Sequence, residues 1–405
     1  MTKVVSISEH RALSANPFNS AHHAHDSHMH HAIGAHALDR QLHIAVVIPP
    51  NTGSETRHAS HVRQGALHVL SLLRSHFPSS RLQLCIDSPA EPEFECLPQV
   101  EVRSTHNWRE TPNLVIDFGG TLGGSTVGML RAAGAKVVNY STSPDYLIDC
   151  GAFGDSSSAI PSYHDIDYDE VWVTPQVARA SFFLMHTIGR NTIKVAPYVW
   201  DPAVQLSDDG CSMDIASYEP ALHQPTVSVV PPAIDTARSC LFPLLIAEHA
   251  QRNHLSELEH VLVRHGRMLL AQNDTFASLL NKLDISRNGI VTFEHSNSGP
   301  ALIGGRSDIF VSYQADFGFG DDIVLLCWMG YPVVHNWELG ADLGYYYRGS
   351  DLAEGAKRLA AAMKHQDGDW IGYRERQRKA IARFLPSSVD SQNKYARLIS
   401  DLFGQ

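Results

Sequence analysis

Residues 306–347 read RSDIFVSYQADFGFGDDIVLLCWMGYPVVHNWELGADLGYYY, and this stretch decides the fold. A short apolar run, Asp308–Ser312, predicts a strand. A Gly-broken loop follows, Gln314–Asp322, with Gly318 and Gly320 inside it. The apolar segment Ile323–Met329 predicts a helix, and Gly330-Tyr-Pro predicts a tight turn into a second strand at Val333. The last part is a loop holding Trp337, Glu338 and the Gly344–Tyr347 run. In α/β domains ligands collect beyond the carboxyl ends of such strands. The loops after Ser312 and Val334 therefore open onto one crevice. Asp321, Asp322, His335, Asn336 and Glu338 gather at these two loop ends, with Tyr345 and Tyr346 at the rim.

Outward from this unit, strand and helix patterns alternate along most of the chain, which predicts mostly parallel sheets. Upstream, Leu42–Ile48 is a β-branched apolar strand, and Pro49–Gly53 ends it. Residues 55–74 carry an apolar stripe at helical spacing, Ala59, Val62, Ala66, Val69, Leu70 and Leu73. Arg57, His58, His61 and Arg63 stand at the start of that helix, near free backbone amides that suit an anionic or hydroxyl-bearing ligand. The next strands are Arg81–Ile86 and Leu114–Phe118. The second runs into Gly119-Gly-Thr-Leu-Gly-Gly124, where Gly119 and Gly120 allow a loop to approach a ligand closely. Asp117 at this strand end has three open roles: general base, anchor for a sugar hydroxyl, or cap of the glycine loop. Further strands are expected at 135–140, 167–173 and 191–197. Residues 203–224 lose periodicity and predict a linker.

A second α/β series begins at Thr226–Val230. Helix Cys240–Gln251, a helix end or short strand at Val261–Val263, helix Thr275–Leu283 and strand Gly289–Phe293 follow. Arg264 and Arg267 come after Val263, and Glu294 and His295 after Phe293. The stretch 306–347 is the next unit. Helices are expected at 351–364, 370–384 and 395–403. The domain expectation is a His-rich disordered tail over 1–40, a first Rossmann-like domain over 41–203, a linker over 204–224, a second domain over 225–385, and a C-terminal helix over 386–405 packed back on the first.

Composition narrows the classes. With 405 residues, 43% of them hydrophobic, the chain can bury two substantial cores. A net charge of −11 argues against a surface coated by nucleic acid. The six cysteines show no CxxC pair, which fits a reducing compartment and neither a disulfide framework nor a structural zinc site. No apolar stretch approaches the length of a membrane span, and the N-terminus lacks the order of a signal peptide, so a cytoplasmic protein is expected. His22, His23, His25, His28, His30, His31 and His36 form a loose cluster in the tail. Their spacing defines no coordination shell, and no metal site is expected.

Two α/β domains about a cleft suggest the GT-B glycosyltransferase architecture. Tyr168-Asp-Glu-Val-Trp172 with Val195-Ala-Pro-Tyr-Val-Trp-Asp-Pro202 resembles the end of the acceptor-side domain in that superfamily. Asp308 through Asn336 resembles its donor-side motif. Cys327–Asn336 together with Gly344–Tyr347 looks like a bacterial family of glycosyltransferase-like proteins, the DUF2827 type, over about residues 42–402. The resemblance implies two Rossmann-like domains facing a central cleft, and metal-independent transfer of a sugar from a UDP- or GDP-linked donor, without a cofactor, to a hydroxyl acceptor. It implies a diphosphate held by Arg264 and Arg267, a nucleobase or ribose met by Glu294 and His295, and donor hydroxyls met by Asp321 and Asp322. His335, Asn336, Gly53, Gly119, Gly120, Gly318, Gly320, Tyr345 and Tyr346 would line the cleft. An inverting reaction needs a base to take the acceptor's proton, and Asp117 or His58 would serve. Known retaining relatives place a glutamate where this chain has Asp321-Asp322, which leaves the donor sugar open. The acceptor stays open between a saccharide, a protein and modified DNA. A catalytically inactive sugar-nucleotide-binding or assembly protein is the alternative from another class, and a glucosyltransferase acting on hydroxylated DNA bases is a third reading.

Overall fold

The computed structural model describes residues 42–49, 61–88, 97–142, 166–179, 192–206, 217–220, 224–230, 239–263, 266–294, 308–314, 320–365 and 368–404. They belong to one compact unit spanning Arg40–Gln405. The expected His-rich tail lies outside the described residues, as do most of the expected linker and His58, Gly53, Arg264, His295 and Gly318.

The first sheet is built from β1 (His43–Ile48), β2 (Arg81–Ile86), β3 (Glu101–Ser104), β4 (Leu114–Phe118), β5 (Lys136–Ser141), β6 (Glu170–Val173) and β7 (Thr192–Val195). Its spatial order is β3-β2-β1-β4-β5-β6-β7, with every neighbouring pair parallel. The order reverses at β1, so a crevice opens between the carboxyl ends of β1 and β4. The strands β1 and β4 are near-continuous apolar runs because both faces are covered. Helix α1 (His61–His76) lies against one face. Residues 55–60 of the expected helix lie outside the described residues. The other face packs Ala45, Val47, Val115 and Val137 against Leu122, Val127 and Leu130, the last two from α2 (Gly124–Ala132). Helix α3 (Pro202–Leu206) ends the first series.

The second sheet repeats the plan. Its strands are β8 (Val227–Val230), β9 (Val261–Val263), β10 (Val291–Phe293), β11 (Ile309–Ser312), β12 (Val333–His335) and β13 (Tyr345–Tyr346). The order β10-β9-β8-β11-β12-β13 is again parallel throughout and again reverses at its first strand. Val261–Val263, left between helix and strand by its sequence, is a strand. The helices are α4 (Leu241–Arg252), α5 (Arg267–Gln272), α6 (Asp274–Leu280), α7 (Asp284–Arg287), α8 (Asp321–Trp328), α9 (Leu352–Met363) and α10 (Trp370–Ile381). Helices α4 and α9 pack on each other over one face, and α8 and α10 over the other.

Two features had no clear signal. β3 is short and polar, so it lacks the apolar run that marks its neighbours. The sequence predicts a loop over β13, yet Tyr345 and Tyr346 pair with Val334 and His335. Its crossover from β12 is only residues 336–344 with one 3-10 turn at Glu338–Gly340, shorter than the dozen or more residues usual for a parallel connection.

The last helix, α11 (Val389–Leu402), starts six residues before the predicted 395 because Ser388 caps it, accepting the Ser391 amide. Its Tyr395 hydroxyl bonds Tyr140 at 2.8 Å and donates to the Pro197 carbonyl at 3.2 Å. Its ring meets Trp172 edge-on. Lys194 reaches Asp401 at 3.4 Å. The chain thus leaves the second sheet after α10 and lies against the first. Where it crosses the outgoing segment, the Trp200 amide donates to Phe384 O at 2.8 Å, and Tyr198, Trp337 and Phe384 form a ring cluster.

Candidate functional site

The carboxyl ends of the two sheets meet. Asp321 follows β11 at the first turn of α8 and is 6% exposed. It accepts a hydrogen bond from the hydroxyl of Tyr198, in the segment after β7. Burial, and then the Asp321 carboxylate beside it, hold that hydroxyl well above the ordinary tyrosine range, so it stays protonated and donates. Nearer the rim, Arg179, beyond β6, pairs with Glu338, beyond β12. These contacts join the end of one sheet to the end of the other.

Between them lies a cavity of about 30 Å³, lined among others by His68, Thr142, Thr174, Gln176, Tyr198 and Asp321. Thr142 directly follows β5, and Thr174 and Gln176 follow β6. All three are at least nine-tenths buried. Among the described residues, Thr142 Oγ1, Thr174 Oγ1 and Gln176 Oε1 have no hydrogen-bond partner. Buried polar groups are nearly always satisfied, so three on one small cavity are unusual. His68 comes from α1; its Nδ1 accepts the Asp201 amide at 3.0 Å, which places the proton of the neutral ring on Nε2. Gly65, one turn earlier, lets α1 approach Thr142, since a Cβ there would stand 3.3 Å from Thr142 Cγ2.

Asp117 takes the third of its open roles. It is fully buried at the end of β4. Its Oδ1 accepts the Thr121 amide at 3.0 Å and the Thr121 hydroxyl at 2.8 Å. Its Oδ2 accepts the Leu122 amide at 3.0 Å and the Tyr168 hydroxyl at 2.8 Å. A carboxylate offers about four lone-pair sites, and all are used. Burial holds the carboxyl above its ordinary range, against the four donors that lower it. Asp117 therefore holds the glycine loop in place, and no lone pair is left to take an acceptor's proton. The loop needs that anchor because Gly119 and Gly120 both adopt positive φ, 76° and 65°.

His335 and Asn336 are likewise spent on the loop they sit in. His335 is fully buried. Its Nε2 meets the Leu343 carbonyl at 3.0 Å, and its Nδ1 accepts the Trp337 amide at 3.2 Å. Burial lowers its pKa to about 4, so the ring is neutral, with the proton on Nε2. Asn336 accepts the Gln314 amide at 2.8 Å and donates to the carbonyls of Gln314 and Gly349 at 2.7 and 3.0 Å. This side-chain bracket ties the end of β11 to the end of β12, which explains why sequence reasoning collected these residues at one crevice. Neither His335 nitrogen is left for a donor molecule.

The other named residues spread along the second sheet's edge. Arg267 and Glu294 are exposed at the ends of β9 and β10, where the Arg267 amide donates to Glu294 O at 3.3 Å. Asp322 is half-buried beside Asp321. Gly320 lies under the Trp337 ring; a Cβ there would stand 2.2 Å from Trp337 Cζ2. Tyr345 points its hydroxyl to His365 Nδ1 at 3.0 Å, and Tyr346 lies edge-on to His335. The residues that reasoning missed are Thr142, Thr174, Gln176 and Tyr198. Their signal was available, since the strand-end rule that singles out Asp117 applies equally to Thr142 and Thr174. Among the described residues no group of three His, Cys, Asp or Glu side chains is placed to hold a metal ion, and no helix is long and apolar enough to cross a membrane.

The chain is similar in structure to sucrose-phosphate synthase from Thermosynechococcus elongatus, at 14% identity and a TM-score of 0.51, over 90% of this chain and 99% of that one. It is also similar to HepE of Anabaena in complex with UDP and glucose, at 12% identity and a TM-score of 0.47, over 89% of this chain and 100% of that one. UGT71G1 of Medicago truncatula, complexed with UDP-glucose, gives 12% and 0.45 over 90% and 99%. Identity this low speaks to fold alone, and the fold is GT-B, with two Rossmann-like domains. No curated protein matches the sequence. The family model described as "Protein of unknown function (DUF2827)" matches residues 44–399, and the chain belongs to that family.

Proposed function

We propose that this chain is a glycosyltransferase that moves a sugar from a nucleoside-diphosphate donor to a hydroxyl acceptor. The observation that carries the reading is the meeting of two parallel sheets by their carboxyl ends around a small cavity, with Asp321 from one side and Thr142, Thr174 and Gln176 from the other. Ligands of open α/β sheets bind at such ends, and two facing sets of ends suit a two-part substrate. The likeness to sucrose-phosphate synthase, a protein of this fold, agrees with the reading.

The donor would lie along the second sheet. Arg267, exposed at the end of β9, is suited to the diphosphate, and Glu294, next to it at the end of β10, to a ribose hydroxyl. Arg264 and His295 flank these two in sequence. Asp322, half-buried at the start of α8, faces the sugar end of the same donor. The acceptor would enter from the first sheet. In the reaction the acceptor oxygen bonds the anomeric carbon, the bond from that carbon to the phosphate oxygen breaks, and the electron pair leaves with the nucleoside diphosphate. The acceptor's proton passes to a base. The four hydrogen bonds to Asp117 occupy its lone pairs, so His58 would take the proton.

Calorimetric titration of the full chain with UDP and GDP tests the donor half. One of them should bind, and Arg267→Ala and Glu294→Gln should each weaken binding about 10-fold, the loss of one hydrogen bond to a charged group. Binding of neither nucleotide would reject the reading.

A further inference from the structure

We propose that the cavity between the sheets is a subsite for the hydroxymethyl arm of a hexose, and that it selects a neutral hexose over the matching pentose or uronic acid. This rests on the glycosyltransferase reading for its location, but its chemistry comes from the cavity itself. Thr142 Oγ1, Thr174 Oγ1 and Gln176 Oε1 are buried, unpartnered among the described residues and carried by residues that line the same space. Leaving such groups unmade costs stability, on the order of 1–3 kcal/mol each. The amide oxygen accepts, and each threonine hydroxyl both donates and accepts, a set that suits a ligand hydroxyl.

Size and charge narrow the ligand. The cavity is about 30 Å³ and partly open to solvent; it holds roughly two water-sized groups, the bulk of one CH₂OH, and leaves the sugar ring outside it. Among the described lining residues none is Lys or Arg, and Asp321 contributes a carboxylate. A phosphate or a uronic carboxylate would meet that negative charge without a counter-charge. Tyr140 and Tyr198 supply aromatic wall, suited to the apolar side of the methylene. The cavity lies at the junction of both sheets, so the arm belongs either to the donor's sugar or to the acceptor's.

The test compares sugars that differ only in this arm, using the full chain. UDP-glucose is set against UDP-xylose, and UDP-galactose against UDP-arabinose. Methyl glucoside, galactoside and mannoside are set against their pentoside and uronide counterparts. Affinity is read by calorimetry or ligand-observed NMR. One hexose should bind about 10-fold or more tightly than its pentose, in the nucleotide series if the arm is the donor's and in the glycoside series if it is the acceptor's. Thr174→Val and Gln176→Leu should abolish that preference while leaving the melting temperature unchanged or raised, because each removes an unsatisfied buried polar group without removing bulk. Affinity for free UDP or GDP should be unaltered in both variants.

Equal binding of hexose and pentose in both series, or no sugar binding at all, overturns the proposal. So does a hexose preference that survives both substitutions. Nucleotide binding with no hexose preference defeats this subsite and leaves the glycosyltransferase reading standing. Hexose preference without nucleotide binding does the reverse.

Discussion

Replacing Asp117 by Ala would leave the Thr121 and Leu122 amides and the Tyr168 hydroxyl without their acceptor inside the protein. The expected cost is about 3 kcal/mol or more in urea unfolding, a loss of fold stability and not of catalysis alone. An unchanged unfolding midpoint would show that the loop does not depend on this carboxylate. His335 makes a prediction in pH. Its folded pKa, about 4, lies below the ordinary histidine value of 6.5. The folded state therefore binds fewer protons between those values, and stability rises with pH across that window. The contribution is fully present above about pH 6.5 and is lost as pH falls toward 4, amounting to about 3 kcal/mol. His335→Gln, which keeps a side-chain donor for Leu343 O, should flatten that part of the stability profile. A profile of unchanged slope would contradict the buried, neutral ring. Both residues were visible in the sequence as polar groups at strand ends. Whether such a group faces ligand or loop depends on the hydrogen-bond partners around it, and one of these for Asp117 is the hydroxyl of Tyr168, fifty-one residues away in sequence.

At the level of elements, the sequence carried most strands and helices of both sheets because their apolar runs are short, β-branched and bounded by Gly, Pro or Asn. β1, β4, β8 and β11 are buried over nearly their whole length and read plainly. β13 did not, because its two residues are half-buried tyrosines and its short crossover leaves no room for a helix. That crossover rests on glycine. Gly344 has φ +50°, and a Cβ there would stand 2.4 Å from the Val333 carbonyl oxygen. Gly344→Ala should cost about 2 kcal/mol or more and loosen β13, read as faster hydrogen exchange at the Tyr347 amide, which donates to His335 O. Protection equal to that of the parent chain would mean that the edge strand tolerates the side chain. The cavity was legible only in part. The strand-end rule points to Thr142 and Thr174, but that the space beside them is small and shared with Asp321 follows from contacts more than a hundred residues apart in sequence.

Over the whole molecule, two sheets are joined by contacts of unequal strength. The Tyr198–Asp321 bond and the ring cluster at Trp337 and Phe384 are buried, whereas Arg179 and Glu338 are about half exposed. An exposed pair contributes on the order of 0–1 kcal/mol, so Arg179→Ala should leave the unfolding midpoint almost unchanged. Tyr198→Phe, by contrast, removes the donor to a buried carboxylate and should cost about 1–3 kcal/mol. Equal effects from the two substitutions would contradict this ranking. The junction is thus firm at its base and weakly held at its rim, which suits a cleft that admits a substrate from the rim side. The parallel order with a reversal at the first strand, present in both sheets, is what brings the binding ends together there. The cleft is proposed to transfer sugar from a nucleotide. The most direct measurement is release of nucleoside diphosphate from a panel of UDP- and GDP-sugars by the full chain. Release is expected from one donor, slow in water alone and faster with a hydroxyl acceptor, and at least 10-fold slower in Arg267→Ala. No release from any donor, with or without acceptors, would contradict it.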